Sequence, residues 1–122
     1  MLPILIVDNE PQVRTLVNRL LSRQGFQVIE AHDGPSALAA VQERSGKVRA
    51  LLTDIEMDGM SGIALAKIVT AEFPNIPVLF VTAVPTSGEE LRRDVPSCAF
   101  VQKPFHPALL VRLLKHLMVP CE

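Results

Sequence analysis

Apolar residues along this chain change period repeatedly. The run "ILIV" at 4–7 is continuous, as expected for a strand covered on both faces. From Val13 the period lengthens: Val13, Leu16, Val17, Leu20 and Leu21 recur at three- and four-residue steps, one face of a helix. Asp8-Asn9-Glu10-Pro11 opens that helix and Gly25 closes it. "QVIEA" at 27–31 reads as a weaker, more polar strand near a sheet edge, and Asp33-Gly34-Pro35 opens a helix with Ala37, Leu38 and Val41 on its apolar face, ending near Ser45-Gly46. "ALLT" at 50–53 is a third strand, and Ile63, Leu65, Ala66, Ile68 and Val69 mark a third helix that stops at Pro74. "PVLFVT" at 77–82 is the strongest strand former. Ser87-Gly88-Glu89-Glu90 fits a capping box, with Ser87 as cap and Glu90 reaching back, on a short helix ended before Pro96. "AFVQ" at 99–102 is a fifth strand, and Leu109, Leu110, Leu113, Leu114, Leu117 and Met118 line a last helix begun near Pro107. Five strands alternating with five helices through short connections predict an α/β fold: a parallel sheet covered on both faces, with right-handed crossovers.

Composition narrows the function classes. At 122 residues and 48% hydrophobic, residues 1–122 are expected to form a single domain with a substantial core. The net charge of −1 gives no general attraction to nucleic acid, and the absence of Trp and Tyr leaves few platforms for base stacking, so no direct nucleic-acid partner is expected. Cys98 and Cys121 have no metal-ligand spacing; Cys98 reads as a small buried residue and Cys121 lies at a frayed end. The apolar start "MLPILIVD" lacks a basic leader and is too short to span a membrane, so the expected location is cytoplasmic. His32, His106 and His116 share no spacing and read as surface residues.

Ligands of open parallel sheets bind beyond the carboxyl ends of the strands. There the chain places Asp8 and Asn9 after strand one, Asp54 after strand three, Thr82 at the end of strand four and Lys103 after strand five. If those strands are neighbours, Asp8 and Asp54 lie close together near Glu10, Glu56 and Asp58. Like charges at short range repel, and a divalent cation relieves that repulsion. Hard oxygen ligands suit Mg²⁺. A carboxylate flanked by Mg²⁺, an ammonium and a hydroxyl suits an incoming phosphoryl group.

Four blocks, "ILIVDNEPQVR" (4–14), "LLTDIEMDGMSG" (51–62), "VTA" (81–83) and "FVQKPF" (100–105), resemble the receiver domains of two-component response regulators over nearly the whole chain. The resemblance implies a flavodoxin-like three-layer sandwich, with a five-stranded parallel sheet in the order 2-1-3-4-5 and five helices. It implies that Asp54 is the phosphoacceptor, taking a phosphoryl group from a phosphohistidine of a sensor histidine kinase or phosphotransfer protein. Asp8 and Asn9 match the family's acidic pair and Glu56 supplies the backbone carbonyl, so that Asp8, Asn9, Asp54 and Glu56 hold Mg²⁺. Thr82 matches the switch hydroxyl, Phe100 the aromatic switch position, and Lys103 the lysine that pairs with the phosphoryl group. The bond between Lys103 and Pro104 is implied to be cis. Such a protein is a phosphorylation-controlled signalling module rather than a turnover enzyme, and it reads out through the face of the fourth helix, fifth strand and fifth helix, toward an effector or a second copy of itself.

Departures from the pattern carry expectations too. Asn9 stands where the family usually has Asp or Glu, which predicts weaker Mg²⁺ binding that Glu10 partly offsets. Asp58 stands where the family commonly has Pro, which predicts a less rigid, more acidic loop. Gly62 is expected to permit close approach of a helix to the sheet. Asn9 is also the best support for a competing class, a non-phosphorylated receiver-like scaffold. A third class, a small phosphohydrolase with an Asp nucleophile, is suggested by the Asp54-Ile55-Glu56 spacing but lacks a cap segment for a substrate. The sequence contains no DNA-binding or enzymatic domain, which leaves a stand-alone receiver or a piece of a longer regulator or hybrid kinase.

Overall fold

The computed structural model describes residues 1–119; the expectation for Cys121 lies outside them. The elements run β1 (Ile4–Val7), α1 (Pro11–Arg23), β2 (Val28–Ala31), α2 (Gly34–Glu43), β3 (Ala50–Asp54), α3 (Gly62–Glu72), β4 (Val78–Thr82), α4 (Gly88–Asp94), β5 (Cys98–Gln102) and α5 (Pro107–Met118). All strand pairs are parallel, in the order β2-β1-β3-β4-β5. The doubly wound, flavodoxin-like fold and its order are as expected, and β2 is indeed an edge strand.

The continuous apolar strands have a simple consequence. Side chains alternate faces along a strand, so a strand with no polar alternation feeds two cores. Leu5 and Val7 of β1 join one cluster with Leu51, Phe80 and Leu65, under α2, α3 and α4. Ile4 and Ile6 join the other with Leu52, Leu79, Leu110 and Leu114, under α1 and α5. Leu79 and Leu114 are fully enclosed, so truncating either to Ala is expected to cost about 3 kcal/mol.

Local signals set the helix ends. Asp33, Ser61 and Ser87 each accept a backbone N–H at the start of α2, α3 and α4. Ser87 caps as expected, with Glu90 N–H donating to its hydroxyl at 3.1 Å. The reciprocal bond from the Glu90 side chain is not among the hydrogen bonds of the described residues, so half of the capping box forms. The helix α2 ends two residues earlier than its pattern suggested, because Ser45 and Gly46 turn to positive φ and close it. His106, read as a surface residue, caps α5: its Nδ1 accepts the Ala108 N–H at 3.2 Å.

Candidate functional site

The parallel register brings the strand ends level. Val7 pairs with Thr53, Asp54 with Val81, and Thr82 with Gln102. The next residues, Asp8 and Lys103, therefore emerge beside Asp54 and Thr82. Backbone bonds continue the ladder past its end: Ile55 N–H donates to Val81 O at 3.3 Å, and Lys103 N–H to Thr82 O at 2.7 Å. The bond between Lys103 and Pro104 is cis, as the resemblance implied. Gly62 closes the floor. A Cβ there would lie 1.9 Å from the Asp54 carbonyl oxygen, so the start of α3 presses on β3 at a distance only glycine allows.

Asp8 and Asp54 are buried, with relative exposures of 2% and 5%. Their carboxylates converge on one ammonium. Lys103 Nζ lies 3.1 Å from Asp8 Oδ2 and 3.1 Å from Asp54 Oδ2, with Glu10 Oε1 at 3.6 Å. The remaining oxygens are held by the turns that follow: Glu10 N–H donates to Asp8 Oδ1 at 2.9 Å, and Glu56 N–H to Asp54 Oδ1 at 3.2 Å.

Burial and the shared cation act against each other in this pocket. Burial pushes the Asp54 carboxyl above its ordinary range, and the charge of Asp8 adds to this; the hydrogen bond and charge of Lys103 only partly offset them. Burial by itself lowers the Lys103 ammonium, but its hydrogen bonds to Asp8 and Asp54, with their charges, hold it above its ordinary range. The pocket therefore gathers three carboxyl groups around one ammonium.

Oxygens of Asp8, Glu10 and Asp54 lie within 4.8 Å of one another. Three hard anionic donors facing one ammonium fit a divalent cation such as Mg²⁺. Glu10 thus stands inside the acidic cluster. Asn9 itself is exposed, on the rim of a depression shared with Glu56, Met57, Asp58 and Ser61.

Two further expected site residues have partners of their own. The Thr82 hydroxyl is buried but engaged by Val84, accepting its N–H at 3.0 Å and donating to its carbonyl at 3.3 Å. Phe100 is half-buried against the apolar cluster under α2, α3 and α4, opposite Phe80 in the ladder. Sequence reasoning missed Arg14. Its Nη1 donates to the Asp8 carbonyl, and its Nε lies 3.4 Å from Glu30 Oε1 on β2. Glu30 in turn accepts from Asn18 at 2.7 Å, and Asn18 from Ser22 at 2.8 Å. The visible signal was a lone cation one turn into α1, beside an acidic loop.

A parallel doubly wound sheet with buried carboxylates and a lysine at its carboxyl edge defines a small α/β domain built around an anion-and-cation pocket. The model of the response regulator receiver domain family matches residues 4–115, and the chain belongs to that family of two-component signalling modules. The response regulator receiver protein CpdR of Brucella abortus is 31% identical over 117 residues, which cover 95% of this chain and 96% of that protein. The transcriptional regulatory protein YvrH of Bacillus subtilis is 30% identical over 117 residues, 93% of this chain but 48% of its own length. The chain thus spans less than half of longer relatives of the YvrH kind. Among solved structures, the chemotaxis protein CheY4 of Vibrio cholerae superposes with a TM-score of 0.85 at 29% identity, covering 96% of this chain and 98% of that one. Among the described residues, no helix is long and apolar enough to cross a membrane.

Proposed function

We propose that residues 1–122 act as one receiver domain in which Asp54 accepts a phosphoryl group from the phosphohistidine of a sensor histidine kinase or phosphotransfer protein in the cytoplasm. The observation that carries this reading is the Lys103 ammonium at 3.1 Å from both Asp8 and Asp54, at the carboxyl edge of the sheet. An Asp54 oxygen attacks phosphorus, a P–O bond forms, the P–N bond to the imidazole breaks, and the imidazole leaves with the electron pair. Lys103 then moves from pairing two carboxylates to pairing a phosphoryl oxygen. Asp8, Glu10 and Asp54, with the Asn9 amide oxygen and the Glu56 carbonyl, are the groups that hold Mg²⁺. When bound, Mg²⁺ neutralises charge on the phosphoryl oxygens.

The Thr82 hydroxyl leaves Val84 for the new phosphoryl oxygen, and the volume it gives up admits Phe100. That rearrangement alters the α4–β5–α5 face, where an effector or a second copy binds. The test is incubation with Mg²⁺ and a small acyl phosphate, read by intact mass. Addition of one phosphoryl group to the wild type, abolished in Asp54→Asn, is the expected result. No addition to the wild type at millimolar Mg²⁺, or undiminished addition to Asp54→Asn, overturns the reading.

A further inference from the structure

At the outer edge of the acidic pocket, one arginine has a choice of two carboxylates. Arg14 lies one turn past Glu10, and its backbone N–H donates to the Glu10 carbonyl at 3.2 Å. A Glu four residues before an Arg is the favourable order for an ion pair along a helix, so Glu10 is the default partner of Arg14. The fold pairs them otherwise. Arg14 Nε lies 3.4 Å from Glu30 Oε1, and its Nη1 donates to the Asp8 carbonyl. Among the described residues, Glu10 forms an ion pair with Lys103 alone, at 3.6 Å.

Glu30 is itself anchored. It sits on the edge strand β2, in register with Ile6 of β1, and its Oε2 accepts from Asn18 Nδ2 at 2.7 Å. The Ser22 hydroxyl donates to Asn18 Oδ1 at 2.8 Å, which leaves the nitrogen of that amide for Glu30. Arg14, Asn18 and Ser22 are spaced by four, so one stripe of α1 carries the whole arrangement. The side chains of Arg14 and Glu30 are 18% and 36% exposed, whereas that of Glu10 is 57% exposed.

We propose that Glu30 is a positioning residue for the cation site. By holding the guanidinium of Arg14, it keeps the Glu10 carboxylate available, with Asp8 and Asp54, to a divalent cation. The inference rests on the reading of that cluster as a Mg²⁺ site. A guanidinium and a metal ion compete for one carboxylate, because both need its lone pairs and their charges repel. Without the charge of Glu30, the carboxylate one helical turn from Arg14 is Glu10, and pairing there withdraws it from the metal. Glu30 thus acts through Arg14 rather than by touching the ion.

The test is a double-mutant cycle on the full chain, read by calorimetric Mg²⁺ titration and by urea unfolding in metal-free buffer. Glu30→Gln keeps the size of the side chain and an acceptor for Asn18 but removes the charge. Arg14→Gln removes the cation that Glu30 restrains. Glu30→Gln is expected to weaken Mg²⁺ binding about fivefold. In the Arg14→Gln background the same change is expected to leave Mg²⁺ affinity unaltered. The metal-free urea midpoint of Glu30→Gln is expected to stay close to that of the wild type, because Glu10 takes over as partner of Arg14. Asn18→Ala loosens Glu30 without removing charge, and is expected to weaken Mg²⁺ binding about twofold, again only when Arg14 is present. A lowered midpoint with unchanged Mg²⁺ affinity would confine Glu30 to tying α1 to β2 and overturn the proposal. Equal weakening in both backgrounds would reduce Glu30 to a source of negative potential and overturn it too. Either result, with Mg²⁺ binding and phosphoryl uptake intact in the wild type, removes this inference alone. A wild type that binds no Mg²⁺ removes the reading of the cluster as well.

Discussion

The helix α1 joins two regions of opposite character. Its first turn borders a pocket where three carboxylates crowd one lysine; its last two turns border a groove, shared with α5, where Arg23, Arg112 and Lys115 face no acid. In the pocket, charges are held in place by each other and by backbone amides, and among the described residues no buried side-chain nitrogen or oxygen lacks a partner. In the groove, charges stand in solvent with no ionic partner. Buried charge tolerates only a full set of partners, because an unpaired one forfeits its hydration without return. Exposed charge keeps its water and remains free for another molecule. The same residue type should therefore behave differently at the two ends of one helix.

Replacing a lysine in each region is the sharpest contrast. Lys103→Met leaves Asp8 and Asp54 buried without a cation and is expected to destabilise the metal-free protein by about 3 kcal/mol. Lys115→Met is expected to change stability by about 0.5 kcal/mol or less. Urea unfolding measures both, and equal losses would erase the distinction. Millimolar Mg²⁺ should recover part of the Lys103→Met loss, since the cation replaces the missing charge.

Next come two glycines. Gly62→Ala drives a Cβ into the Asp54 carbonyl and is expected to cost about 2.5 kcal/mol and to blunt phosphoryl uptake. Gly25, just past α1 at φ +87° with open space around it, is expected to cost about 1 kcal/mol as Ala, from backbone conformation alone, with uptake unaffected. If Gly25→Ala proved the more harmful to uptake, the floor of the pocket would not be where close approach matters.

Smaller again are two arginines on the same helix. Arg14→Ala removes a donor to the Asp8 carbonyl and the partner of Glu30, for an expected loss of about 1.5 kcal/mol and several-fold weaker Mg²⁺ binding. Arg23→Ala should change neither. Thermal denaturation and a Mg²⁺ titration separate them; Mg²⁺ affinity untouched by Arg14→Ala would limit that residue to holding α1 against β2.

The finest effect is in pH. Because burial raises Asp54, the native state binds its proton more tightly than the unfolded chain does. The contribution of this group to stability falls as pH rises from the ordinary value of 3.8 through the raised one. Asp54→Asn cannot ionise and escapes that loss. In metal-free buffer the stability of Asp54→Asn relative to the wild type should grow with pH across that window and then level off. A difference that stays flat with pH would mean that Lys103 fully offsets the burial.

Much of this pocket was readable from one dimension. Apolar runs without alternation announced strands buried on both sides, and each ended in the polar residue that the pocket uses. Helix caps were less legible: Ser61 and His106 cap through hydroxyl and ring nitrogen geometry that residue spacing does not reveal. Arg14 was missed because its partners are a backbone carbonyl and Glu30 on another strand, a pairing without a local signature. Thr82 ends its strand at the edge that carries Asp54 and Lys103, as expected, but that its hydroxyl bonds to the amide and carbonyl of Val84 has no signature in residue spacing.

The sequence by itself determined the alternation of elements, the two-sided core and the identity of the groups at the strand ends, since these follow from local periodicity and residue chemistry. Only the tertiary structure decided which charges share a site. It put Glu10 beside Lys103, left Asn9 on the rim and gathered Arg23 with Arg112 across two helices. Electrostatic interaction depends on distance through space and on exclusion of water, and both are set by how distant segments pack.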